Sequence, residues 1–195
     1  MREILRGLTD SEFHEATTIS PEGLIIAAEP SPFKAWEGAN ISDLQWNEFL
    51  KSKAPVQTGV FRAVEGYDAI AFIYPIISPE DEFFGALSAL IRPGEFLASI
   101  IDPKLNGTPY SAWIMQKDGM IVYDSDPSQI GLILFQDPLY QPYSSLLEIG
   151  KKMVANRSGK GSYYFLNKEH NQNVYWTTLG LHGNEWRLAV IYVAR

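Results

Sequence analysis

Apolar positions along this chain fall into short runs with two spacings. One recurs every three or four residues, as on a helix face, and the other alternates, as on a strand. Ile4, Leu5, Leu8 and Phe13 share one stripe and predict an amphipathic helix over residues 2 to 16. Thr17 to Ser20 and Leu24 to Ala28 read as a hairpin around Pro21-Glu22-Gly23, with Gly23 free to take the turn's left-handed angles. A loop begins at Ser31-Pro32. Ser42 is a good N-cap for a helix to Lys51 that places Leu44, Trp46, Phe49 and Leu50 at helical spacing, and Pro55 ends it. Three strands follow, Thr58 to Val64, Asp68 to Ile77 and Phe83 to Ile91, joined by connections of hairpin length.

After a helix from Pro93 to Ile101 and a turn-rich stretch to Pro109, the order starts again. Ser111 to Gln116 and Met120 to Asp124 form a hairpin around Lys117-Asp118-Gly119; an irregular stretch leads to a helix from Tyr143 to Asn156. Gly161 to Leu166, Val174 to Leu179 and Trp186 to Val193 are the last three strands. Gly23 and Gly119 occupy matching turns 96 positions apart (119 minus 23). A unit of hairpin, loop, helix and three-strand meander thus occurs twice. Each copy predicts a five-stranded antiparallel sheet with helices against one face, an α+β fold.

Composition narrows the functions open to this fold. The net charge of -7 comes without a long run of either sign, which excludes a phosphate-binding surface and so nucleic acid as partner. Cysteine is absent, removing disulfides, thiolate metal sites and cysteine nucleophiles together. No stretch reaches the roughly 20 apolar residues that span a bilayer, and the start lacks a signal-peptide core. His14, His170 and His182 show no metal-ligand spacing, so no metal and no other cofactor is expected. The Gly-Lys pair at Gly159-Lys160 lacks the glycine and hydroxyl residue of a phosphate loop, and Asp124-Ser125-Asp126 lacks the rest of a calcium loop. No nucleophile elbow or acid-base pair stands out, and no catalytic residue is assigned.

Several stretches carry a family resemblance. In the first half these are Asn40-Ile41-Ser42, the aromatic Trp46, Ala54-Pro55-Val56-Gln57-Thr58, Tyr74-Pro75-Ile76 and Phe84-Gly85-Ala86-Leu87-Ser88-Ala89-Leu90. The second half adds Lys117-Asp118-Gly119-Met120-Ile121-Val122, Asp126-Pro127-Ser128-Gln129-Ile130-Gly131 and Trp186-Arg187-Leu188. Together, over about residues 20 to 195, they resemble the double Cache sensor domains. The resemblance implies two tandem PAS-like modules, residues 1–101 distal to a membrane and 102–195 proximal to it. It further implies an extracytoplasmic input domain of a chemoreceptor or sensor kinase, able to form a homodimer, with membrane segments outside this chain. The family's long first helix is here only about 15 residues.

Such a domain binds a small molecule in its distal module. Strand alternation puts Ala86 and Ser88 on one face, with Phe72 and Tyr74 of the preceding strand expected beside them and Phe61 one strand further. Trp36 and Trp46 are expected in the cover, supplying stacking surface, with Lys34 or Arg62 supplying a positive charge. Amino-acid-binding members carry an Arg and paired aromatics on the helix and an Asp on the last strand. Here those positions read Leu44, Trp46, Asn47 and Leu90, so the pairing for a zwitterion is missing and an ordinary amino acid is not the expected ligand. In the second module, Tyr123, Asp124, Tyr164 and Trp176 are expected to serve core and turns. Two other readings stay open at this point: a cytoplasmic PAS-like interaction module without a small ligand, and an enzyme with an unrecognised site.

Overall fold

The computed structural model describes residues 2–10, 13–42, 44–166 and 171–193, with side chains at all of these except 44, 45, 48, 181 and 193. Lys168, Glu169 and His170 fall outside the described residues, as does the side chain of Leu44. The chain divides into two compact units, Met1–Pro93 with Leu181–Asn184, and Gly94–Gly180 with Glu185–Arg195. The first division between them falls at 93/94, ahead of a helix.

The first unit runs α1 (Arg2–Thr9), β1 (Glu15–Ile19), β2 (Ile25–Glu29), a 3-10 turn (Ser31–Trp36), α2 (Leu44–Ser52), β3 (Val56–Gln57), β4 (Phe61–Arg62), β5 (Asp68–Ile77) and β6 (Phe83–Ile91). Its antiparallel sheet has the order β2-β1-β6-β5-β3, with β4 also pairing β5. The second continues with α3 (Pro93–Leu105), β7 (Tyr110–Gln116), β8 (Ile121–Asp124), a 3-10 turn (Pro127–Gln129), α4 (Ser144–Ala155), β9 (Gly159–Tyr163), β10 (Gln172–Leu181) and β11 (Asn184–Val193). Its sheet has the order β8-β7-β11-β10-β9. The two orders coincide once β3 and β4, two short pieces that both pair β5, are counted as one interrupted strand, so the repeat read from the sequence is a repeat of topology.

The correspondence extends to hydrogen bonds. In the first unit Gly38 N–H donates to Ile25 O, Ile25 N–H to Ala39 O and Ile41 N–H to Gly23 O. In the second, Gly131 N–H donates to Ile121 O, Ile121 N–H to Leu132 O and Leu134 N–H to Gly119 O. Each hairpin's outer strand is therefore laced to the loop that follows it. The turn glycines, Gly23 and Gly119, have φ of 84° and 96°, a region where other residues are strained.

Three local differences from the sequence reading have physical reasons. α1 stops at Thr9 and Glu15 begins a strand, because the β-branched run Thr17-Thr18-Ile19 extends back into a ladder with β6, where Glu15 pairs with Leu90. The strand expected over Thr58 to Val64 is two short pieces. Between them Thr58 Oγ1 takes the Ala71 N–H at 3.0 Å, a ladder bond made by a side chain. Ser31–Trp36 winds as a 3-10 turn where only a loop was read.

In the first unit a core of Ile19, Trp46, Phe49, Ala71, Ile73 and Leu90 fills the space between sheet and α2. α1 buries Leu5 against Ala16 and Ala27, and its Arg2 and Arg6, with Lys34, surround the buried carboxylate of Glu29. In the second unit the core gathers Trp113, Met115, Ile149, Met153, Tyr163 and Val174 under α4. The Trp-Arg-Leu segment has its explanation here. Arg187, 2% exposed, donates from Nε to Met153 O at 2.7 Å and so satisfies a carbonyl at the C-terminal end of α4.

Candidate functional site

The first unit's sheet offers one face to α2, and the register decides which residues share it. Thr17 pairs with Ser88, Ser88 with Ile73 and Leu90 with Ala71. Paired residues point to the same side, so these five form a floor of small and medium side chains. Trp46 lies over it, because Trp46 and Phe49, three apart on α2, face inward together with ring centroids 5.2 Å apart. Gly23 holds the ring from the other side: a Cβ there would lie 3.1 Å from Trp46 Cδ1. Between floor and cover is a cavity rimmed by Phe61, Arg62 and Ile41, with about 60 Å³ open to water-sized molecules.

Of the residues expected at a ligand, Trp46, Phe61, Arg62 and Ser88 line this cavity. Arg62 is held at its rim by an ion pair to Asp68 at 3.1 Å, with most of its side chain in solvent. Trp36, Phe72, Tyr74 and Ala86 are not among the lining residues. For Phe72 and Tyr74 the cause is register. Phe72 pairs with Ala89 and Tyr74 with Leu87, which puts both on the opposite face, where Phe72 meets Phe13 edge-on at 5.8 Å and Tyr74 is exposed. A shift of one residue in a strand pairing exchanges the two faces. Ala86 belongs to the packed core next to Ile19, and Trp36 ends the 3-10 turn, partly exposed.

A charged residue that the sequence reading had placed in a helix lines the cavity instead. Glu15 is 1% exposed, and its Oε2 accepts the Tyr67 hydroxyl at 2.8 Å. Burial, reinforced by the neighbouring charge of Glu65, pushes its carboxyl up to about 8, against the lowering effect of the Tyr67 bond. Burial raises Glu65 as well. Tyr67, also raised by burial and by Glu15, carries the Arg92 guanidinium over its ring at 4.6 Å and the edge of His14 at 5.2 Å. At neutral pH the site thus holds a carboxyl with its proton, able to donate, to accept, or to exchange that proton for a bound cation. Glu15 pairs in register with Leu90, so a carboxyl stands one strand from the position where an Asp was sought. The available signal was alternation: Glu15, Thr17 and Ile19 share a face once the strand is extended back.

The second unit's expected core residues are mostly in that role. Tyr123 is buried and donates to Asp102 at 2.5 Å, and Trp176 Nε1 donates to Asn156 O at 3.1 Å, whereas Tyr164 is exposed. Among the described residues no group of His, Asp or Glu is arranged to hold a metal ion. No helix among them is long and apolar enough to cross a membrane.

Residues 1–93 match the family model described as HK/GC/Chemotaxis protein-like, sensor domain. No curated protein matches the chain. Among solved structures, an extracellular ligand binding receptor from Desulfohalobium retbaense DSM5692 is similar at 28% identity and a TM-score of 0.83, over 97% of this chain. The chain spans 32% of that receptor's length. The ligand-binding domain of the Campylobacter jejuni chemoreceptor Tlp3, in complex with 4-methylisoleucine, shares the fold at 17% identity and a TM-score of 0.69, over 98% of this chain and 69% of its own. So does the ligand-binding domain of the Pseudomonas aeruginosa PAO1 amino acid chemoreceptor PctB in complex with L-Gln, at 14% and 0.61, over 95% and 70%.

Proposed function

We propose that this chain, a sensor domain of the double Cache type, binds a small molecule in the cavity of its first unit and reports occupancy through the cover made by α2. The observation that carries the reading is a buried carboxyl, Glu15, in an otherwise largely apolar cavity closed by Trp46. Such a pocket, apolar with few converging polar groups, is the usual form of a small-molecule site. Its open space is far below the about 300 Å³ of an ordinary ligand pocket. A ligand larger than a few water molecules therefore enters only by displacing Trp46 or Phe61. That coupling makes the ligand prefer one arrangement of the cover over the other, the condition for a shift between two states.

The polar groups favour an amine without a carboxylate. Glu15 and Glu65 suit an ammonium group, while the lining cation among the described residues, Arg62, sits at the rim and is engaged by Asp68. A zwitterionic amino acid would bury a carboxylate without a partner. The reading extends to place. The domain faces the outside of the cell membrane with its first unit distal, residues 1–101 and 102–195 act as sensing and relay modules, and membrane segments and output domain lie elsewhere in a homodimeric receptor. Binding, not catalysis, is its role.

Titration calorimetry with a panel of small amines and their parent amino acids tests the reading. The amines are expected to bind and the amino acids not, with Glu15→Gln weakening the amine by about tenfold or more. An amino acid binding more tightly than its decarboxylated amine overturns the ligand class, and amine binding unchanged in Glu15→Gln moves the site elsewhere.

A further inference from the structure

The second unit contains a cavity at the position equivalent to the first, and it is roomier, with about 320 Å³ open to water-sized molecules. That reaches the range of small-ligand pockets, about 300 Å³ upward. Its walls are aromatic: Trp113, Tyr140, Tyr163 and Phe165, all nine-tenths buried or more. Its mouth is acidic. Asp124 pairs in register with Trp113, which puts both side chains on one face of the sheet, and Asp126 follows two residues on. No Lys or Arg is among the described lining residues.

The polar groups are already held in place. Asp124 Oδ1 accepts the Asp126 N–H at 2.8 Å, and Asp126 accepts from Ser128 and, at 3.3 Å, from Gln129 Nε2. Gln129 Oε1 in turn accepts the Tyr140 hydroxyl at 3.2 Å. One group stands outside this order. Trp113 is 4% exposed, and its Nε1 meets no acceptor at good hydrogen-bond geometry; the Tyr163 hydroxyl beside it makes only a weak contact, which lowers that hydroxyl against the effect of burial. A buried donor so poorly served costs free energy that a well-placed ligand oxygen would recover. The carboxylates are felt inside as well: beyond the effect of burial, Asp124 raises the hydroxyls of both Tyr140 and Tyr163. Aromatic faces under a negative potential favour a positive guest.

We propose that this second cavity binds a small organic cation carrying an oxygen acceptor, an amino alcohol by class. Asp124 and Asp126 face its charge, the aromatic walls pack against its apolar groups, and Trp113 Nε1 donates to its oxygen. The site is independent of the one proposed in the first unit and differs from it in keeping its charge at the entrance and its donor at depth.

Choline is the probe, with 3,3-dimethyl-1-butanol as its neutral isostere and tetramethylammonium as the cation without oxygen. Calorimetry is expected to show choline binding about tenfold or more tightly than either control. In the nuclear magnetic resonance spectrum, the indole N–H signal that disappears in Trp113→Phe is expected to shift with choline in the native chain. Asp124→Asn, which keeps an acceptor for the Asp126 N–H, should lose about tenfold or more of the affinity, and Glu80→Gln, at an exposed turn carboxylate of the first unit, should lose none. Equal binding of choline and its isostere overturns the proposal. So does an unmoved Trp113 signal, an unchanged Asp124→Asn, or a loss confined to Glu15→Gln. That last result transfers the cation to the first unit, whereas failure of the first-unit reading leaves these outcomes untouched.

Discussion

The two units close the same sheet in the same way and differ at a few positions that decide what each could hold. Shifted by the 96 residues separating Gly23 from Gly119, Glu15 falls on Ser111, Thr17 on Trp113 and Ala28 on Asp124. The pairings agree: Thr17 faces Ala28 and Ser88, and Trp113 faces Asp124 and Ala189. A carboxyl at depth in one unit is thus replaced by a carboxylate at the mouth in the other. The volumes differ for a reason visible in the cover. Trp46 abuts Gly23 and fills the first cavity. Phe135 abuts Gly119 but is also received by Gly150 of α4, where a Cβ would come within 3.0 Å of its ring, and it does not line the second cavity. Two glycines park one ring out of the way, and the cavity stays open.

This contrast can be broken at three points. Trp46→Ala should have the largest effect, a loss of about 3–5 kcal/mol in urea unfolding, because a fully buried ring leaves a void its neighbours fill only in part. A loss under about 1 kcal/mol would mean that the cover is not packed as described. Gly150→Ala should come next, at about 1–3 kcal/mol. Its Cβ would lie 2.4 Å from Leu134 Cδ2 and press a lining residue into the second cavity, so choline affinity should fall with stability. A gain in stability, as helix propensity alone predicts, would show that Leu134 yields freely.

Glu15→Gln is the subtlest of the three and turns on sign. The folded carboxyl titrates near 8, above its ordinary value of 4.5, so the folded state keeps a proton that the unfolded chain has released. Stability from this group is full below about 4.5 and declines as pH rises to about 8. Glu65, also raised, adds to the same slope. The variant should flatten the decline and gain about 1–2 kcal/mol over the native chain at pH 8, measured by unfolding at several pH values. An unchanged slope would place the titration on the neighbouring Glu65 instead.

Much of the architecture was legible in the sequence because long strands announce themselves. Asp68–Ile77 and Phe83–Ile91 have the bounds that alternation and flanking turns suggested. The repeat was legible through its turn glycines, whose φ no other residue takes cheaply. The site was harder to read. Ser88 and Trp46 could be placed by counting along one element, but Phe72 and Tyr74 needed the register between two elements, and pairing is a tertiary property that a single strand does not encode. Glu15 escaped because a charge in a β-branched run looks like the polar face of a helix until its ladder with β6 is known.

The lacing of β2 to residues 38–41 and of β8 to residues 131–134 bears on how this chain meets its own kind. A sheet's outermost strand normally offers a row of vacant donors and acceptors on which a stray segment can assemble. Here part of that row on each hairpin is already occupied by the chain's own following segment, so edge-to-edge aggregation is discouraged there without a disulfide.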